Sequence, residues 1–138
     1  MRRILTYNNA GHVNRQNMNI AELIKYTEGK LLTKESELDP DEVIKGGCSA
    51  DLMSDVLAYI QPHAVLLTGL VNPQVVRTAQ MADVAAIVFV RGKIPPDETI
   101  RLAEEAHIPL ISSPLGMYEL SGRLYQTGLP SLENAIQV

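Results

Sequence analysis

The chain has one cysteine, Cys48, among its 138 residues, so it can close no disulfide within itself. That fits a reducing compartment. It has no basic block either. Lysine and arginine total 12 against 16 acidic residues, a net charge of −4, and the only adjacent pair is Arg2-Arg3. A nucleic-acid partner needs a basic stripe, and none is written here. No apolar run approaches the ~20 residues that span a bilayer. The start of the chain lacks the continuous apolar core of a signal peptide. A cytoplasmic protein away from membranes is expected. Nucleotide motifs are missing too: no Gly-x-x-x-x-Gly-Lys-Ser/Thr occurs, and Gly69-Leu70-Val71 lacks Gly-x-Gly-x-x-Gly spacing. The three histidines, His12, His63 and His107, are too scattered to read as a zinc site. Glu35, Glu37, Asp39 and Asp41 read as a solvated acidic loop. No metal, cofactor or catalytic residue is expected.

What is present is a core. The composition is 46% hydrophobic and 20% charged, the balance of a soluble globular protein. At this length folding buries roughly two-thirds of the unfolded surface. Residues 1–17 are polar and mixed, with one possible strand at Ile4–Tyr7, and read as an N-terminal arm. One domain is expected over residues 18–138. Its first helix carries Ile20, Leu23 and Ile24 at helical spacing, with Asn19 as cap and Gly29 past the end. Short strands are expected at Lys30–Leu32 and Val43–Ile44, the latter stopping at Gly46-Gly47. A helix over Asp51–Ile60 places Leu52, Met53, Val56, Leu57 and Ile60 on one side, with Ser49 or Asp51 as cap.

Three strand–loop–helix units follow. Ala64–Thr68 is a strand, and Asn72 with Pro73 opens its helix, asparagine as cap and proline at the first helical position. Val84–Val90 is almost wholly apolar, and Pro96, Asp97 and Glu98 open the next helix with acids where the helix dipole favours them. Ile108–Ile111 is the third strand. Its helix carries Met117, Leu120 and Leu124 on one side, and the tail after Pro130 reads as loose. None of these strands alternates apolar with polar, so both sheet faces need cover. The fold class expected is α/β, three layers, α/β/α, around a mostly parallel sheet.

Ligands of such sheets sit at the carboxyl ends of the strands, near a switch in strand order. The loops at that edge are Gly46–Ala50, Gly69–Asn72, Arg91–Pro95 and Ser112–Gly116. Helix amino termini there favour an anion. The candidate ligand residues are Gly69, Asn72, Arg91, Gly92, Lys93, Ser112 and Ser113, with Arg91 and Lys93 supplying charge. Cys48, in Gly-Gly-Cys-Ser, reads as a semi-buried thiol and not as a nucleophile. Tyr118 and Tyr125 lie seven apart, on a stripe beside the inward one, and suit an interface because the ring offers a large apolar face and one polar tip. A homodimer is expected.

The segment from Met18 to about Leu129 resembles the DRTGG domain and, in architecture, the amino-terminal domain of HPr kinase/phosphorylase. The carrying residues are Ala64-Val-Leu-Leu-Thr-Gly, Ala85-Ala-Ile-Val-Phe-Val-Arg-Gly and Leu102-Ala-Glu-Glu-Ala-His-Ile-Pro-Leu-Ile-Ser-Ser. The family pattern has Gly-Asp-Arg after one strand and Thr-Gly-Gly after the next. Here Gly69 is kept but followed by Leu70-Val71, and Val90-Arg91-Gly92 stands for Thr-Gly-Gly, so the chain resembles a divergent, stand-alone form. The resemblance implies a regulatory or assembly module without catalysis of its own, as beside phosphotransacetylases and CBS-domain pyrophosphatases. It implies a protein partner. The other reading of the residues is a sensor of an anionic metabolite or nucleotide.

Overall fold

Apolar runs that do not alternate need cover on both faces, and the chain supplies it. The computed structural model describes residues 17–138 and, as backbone, Thr6–Tyr7 and Val13–Asn14. Those two pairs are β1 (Thr6–Tyr7) and β2 (Val13–Asn14), paired antiparallel. The rest of the expected arm up to residue 16 lies outside the described residues. Then come α1 (Ile20–Thr27), β3 (Lys30–Leu31), β4 (Gly46–Ser49), α2 (Met53–Tyr59), β5 (Ala64–Thr68) and α3 (Pro73–Met81). The chain continues through β6 (Ala86–Phe89), α4 (Asp97–Glu105), β7 (Leu110–Ser112) and α5 (Met117–Gln126).

The main sheet has the order β3-β7-β6-β5-β4. β4 to β7 run parallel, with Leu66 opposite both Cys48 and Ile87, and β3 lies antiparallel on β7. Consecutive parallel strands are neighbours, so every crossover steps the same way. Right-handed crossovers then put α2, α3 and α4 on one face. Leu66, Ile87, Phe89 and Leu110 point to that face and pack with Val56, Val75, Val76, Ala79 and Ala103. Val65, Leu67, Val88 and Ile111 point the other way, against Leu23, Leu120 and Leu124 of α1 and α5. This is the expected three-layer architecture. The expected switch in strand order is absent from the parallel strands, so no crevice of that kind opens along them.

Helix ends follow local chemistry in part. Asn19 and Glu22 form a reciprocal capping box at the start of α1. Pro73 takes the first position of α3, but Asn72 makes no side-chain cap bond, contrary to expectation. At the far ends, Glu28, Asp83, His107 and Gly128 all take left-handed φ. In each case the next amide reaches back five residues, as Val84 does to Ala79. Only the last of these residues is glycine. The others accept a local cost of about 1 kcal/mol each.

Three expectations fail around β4. The strand is Gly46–Ser49, not Val43–Ile44; Ile44 instead bridges Met18. The segment read as loop Gly46–Ala50 is therefore mostly strand. Its first glycine has a reason: a Cβ on Gly46 would collide with the Leu132 side chain and the Pro130 carbonyl. The tail is laid along this edge. Gly47 N–H donates to the Pro130 carbonyl at 2.9 Å, Leu132 N–H to the Gly47 carbonyl at 2.9 Å, and Asn134 N–H to the Tyr59 carbonyl at 2.9 Å. The tail after Pro130 thus pairs where a loose end was expected. Finally, α2 begins at Met53 with no side-chain cap from Ser49 or Asp51. It buries only Val56, with Leu52 and Leu57 exposed, because α2 lies at the end of the layer.

Candidate functional site

The carboxyl edge is built on Asp51, two residues past β4. Its Oδ1 accepts from Gly69 N–H at 2.7 Å and from the Thr68 hydroxyl at 3.1 Å. The Thr68 hydroxyl accepts in turn from Leu70 N–H at 3.2 Å. Lys93 Nζ donates to the Gly69 carbonyl at 2.9 Å. A Cβ on Gly69 would stand 3.2 Å from Lys93 Nζ and 3.5 Å from Asp51 Oδ1, so both side chains close over bare backbone. Loops from three strands are thereby held at one corner.

The neighbouring loop is tied as tightly. Arg91 and Gly92 turn the chain with φ of 55° and 66°. Their amides donate to the Leu115 carbonyl at 2.8 Å and to the Ser113 carbonyl at 2.6 Å. Ser112 Oγ donates to the Lys93 carbonyl at 2.8 Å. Ser113, fully buried, donates to the Thr27 carbonyl at 2.6 Å and accepts from Leu115 N–H at 3.1 Å. The structure therefore brings Gly69, Arg91, Gly92, Lys93, Ser112 and Ser113 together in adjoining loops. It leaves Asn72 exposed at the start of α3. The serine hydroxyls and the loop amides are spent on protein. The Asn72 and Arg91 side chains face solvent, and Ile94 is 60% exposed.

Asp51 was missed as a member of this corner. Its signal was an acid just after a strand, and it was read as a helix cap. The two interface candidates on α5 differ. Tyr118 is 95% exposed, and Tyr125 is 45% exposed.

Two cavities of ligand size are lined by described residues. One, of about 300 Å³, lies between β4, α5 and the tail. In it Ser49 Oγ and Ser121 Oγ are 2.7 Å apart, and Cys48 Sγ lies 3.8 Å from a Glu133 carboxylate oxygen. Burial first, then the Glu133 carboxylate, pushes the Cys48 thiol from 9.0 up to about 12, so it is a neutral, unreactive group. The other cavity, of about 330 Å³, lies at the amino edge and includes Glu42, His63, Asp83 and His107. Burial raises the Glu42 carboxyl, His63 opposes this and Asp39 adds to it. His107 Nδ1 lies 3.2 Å from a Glu37 carboxylate oxygen. Among the described residues no group of three or more His, Cys, Asp or Glu could hold a metal ion, and no helix is long and apolar enough to cross a membrane.

Fold and edge together define a small three-layer α/β domain whose carboxyl edge is laced by its own side chains. The chain belongs to the DRTGG domain family, whose profile matches residues 22–127. Among solved structures it is similar to the CBS and DRTGG domains of the regulatory region of Clostridium perfringens pyrophosphatase, complexed with its activator diadenosine tetraphosphate. That match has a TM-score of 0.65 at 14% identity and covers 94% of this chain and 65% of the other. The chain thus spans less than two-thirds of that structure's length, and at this identity the likeness is one of fold. No curated protein matches.

Proposed function

We propose that this chain is a regulatory, non-catalytic module that self-associates, as a two-fold dimer, and serves a partner enzyme in the cytoplasm. Residues 18–138 act as one DRTGG unit, with 1–17 as an arm. The observation that carries this reading is the laced carboxyl edge. Asp51, Lys93, Ser112 and Ser113 bind neighbouring protein groups, so the polar atoms of that edge hold the fold together and are not set out for a reaction. The α5 surface supports association, because Tyr118 projects a ring that is 95% exposed. A contact of this kind should bury more than about 1,000 Å² in total. Purified protein should show no ATPase, kinase or phosphotransferase turnover. Turnover that survives repurification and vanishes on altering one loop residue would overturn the reading. Tyr118→Glu with Tyr125→Glu should dissociate the dimer with the circular dichroism spectrum unchanged; a dimer untouched by the pair would exclude this surface.

A second reading is a sensor of an anionic metabolite or nucleotide. It is favoured by the activator held by the pyrophosphatase regulatory region. Its site would be the carboxyl edge, at Gly69, Asn72, Arg91, Gly92, Lys93, Ser112 and Ser113. Diadenosine tetraphosphate at a hundred times its dissociation constant should then add about 2.7 kcal/mol of stability. Unchanged affinity after Asn72→Ala, Arg91→Ala and Ser112→Ala together would place binding elsewhere.

A further inference from the structure

The cavity beneath the tail has a chemistry unlike that of the carboxyl edge. Its volume, about 300 Å³, is at the lower limit of small-molecule pockets. Leu67, Leu124 and Leu129 give it apolar walls, and Tyr125 adds a ring. Its polar groups are few and placed together. Ser49 and Ser121 share one hydrogen bond, so of their two hydroxyl protons one is left for an outside acceptor. Glu133 accepts only a long contact from Cys48 and a carboxylate has further lone pairs, so it remains an acceptor. Among the described residues no lysine, arginine or histidine lines the space. An anion placed there would meet a carboxylate and no counter-charge.

We propose that this cavity binds a small uncharged heteroaromatic amine of nucleobase or nucleoside size. A ring nitrogen beside an exocyclic amine offers an acceptor next to a donor on a flat apolar body. The serine pair supplies the matching donor, the Glu133 carboxylate the matching acceptor, and the leucines the apolar walls. The site goes beyond the assembly reading, and it adjoins the proposed interface through Tyr125. It also separates an uncharged ligand from the anion reading of the carboxyl edge. Because Glu133 sits on the tail, binding tightens the tail on β4 and on the end of α2, where the Gly47 pairing, the Gln61–Leu132 bond and the Asn134–Tyr59 bond hold it.

The test is amide-resolved NMR of the full chain titrated with adenosine, with AMP as the anionic comparison. Adenosine should shift the amides of Ser49, Ser121 and Glu133 saturably at millimolar concentration and slow hydrogen exchange at Leu132. AMP should bind more weakly. Glu133→Gln should weaken adenosine by about tenfold or more, the loss of a hydrogen bond to a charged acceptor. Ser121→Leu, which fills the cavity, should abolish binding. If that variant does not fold, the wild-type shift map and Glu133→Gln, a change in the exposed tail, decide the matter. The proposal is overturned if adenosine gives no saturable shift, or if its shifts centre on Asn72 and Arg91. It is equally overturned if AMP binds more tightly than adenosine, or if both variants bind as the wild type does.

Discussion

The carboxyl edge and the cavity under the tail are built in opposite ways. The edge collects the residue types that signal a ligand site: glycines, serines, a lysine and an arginine. Yet its amides and hydroxyls are committed, with Gly69 held by Asp51 and Ser113 held between Thr27 and Leu115. The cavity collects residues that signal nothing in a sequence: a serine from β4, a serine from α5 and a glutamate from the tail. There the space is open and the polar groups have capacity to spare. The difference teaches that ligand-type residues mark where chains turn, and that sites are defined by which polar groups the fold leaves unspent.

The largest effect expected from this contrast is on Cys48, inside the cavity wall. A thiol ionising at about 12 instead of 9.0 carries roughly a thousandth of the thiolate near neutral pH. Alkylation by iodoacetamide at pH 8 should be slower by about that factor in the folded protein than in denaturant. Comparable rates would mean that burial and the Glu133 carboxylate do not hold the thiol neutral. The same shift sets a pH dependence. Below pH 9.0 folded and unfolded chains both keep the proton; between 9.0 and about 12 only the unfolded chain releases it, so stability falls as pH rises.

Next in size is the tail. Gly46→Val drives a side chain into Leu132 and the Pro130 carbonyl. It should cost about 1–3 kcal/mol, the usual range for overpacking, and speed amide exchange at Leu132. Exchange unchanged at Leu132 would mean that the tail is not held on β4 through Gly46 and Gly47. Smaller again is the corner: Asp51→Ala removes hydrogen bonds to Thr68 and to Gly69, at and just past the end of β5, and should cost about 1–2 kcal/mol in chemical denaturation. Smallest is Asn72→Ala. Because that side chain caps nothing, the loss should stay within about 0.5 kcal/mol, and a loss near 1 kcal/mol would restore the cap.

The parallel sheet was legible because Ala64–Thr68 and Val84–Val90 do not alternate, and burial on both faces forces that pattern. The start of α1 was legible because Asn19 and Glu22 interact over three residues. What escaped was long-range. Gly46 and Gly47 look like a turn, and only the tail more than 80 residues on explains why the strand carries a glycine at Gly46. Asp51 has the composition of a cap, and only the pairing of β4 with β5 shows that its acceptor faces Gly69. Six of the candidate residues at the carboxyl edge lie in adjoining loops, because each ends or follows a parallel strand, while Asn72 stands apart at the start of α3. That their hydroxyls and amides would bind the protein itself was not written in any local stretch.

Self-association is the part of the proposed function that mass in solution decides, and light scattering on the wild-type chain across micromolar concentrations tests it most directly. The account predicts twice the single-chain mass of 15.2 kDa. A mass of 15.2 kDa throughout that range would contradict it.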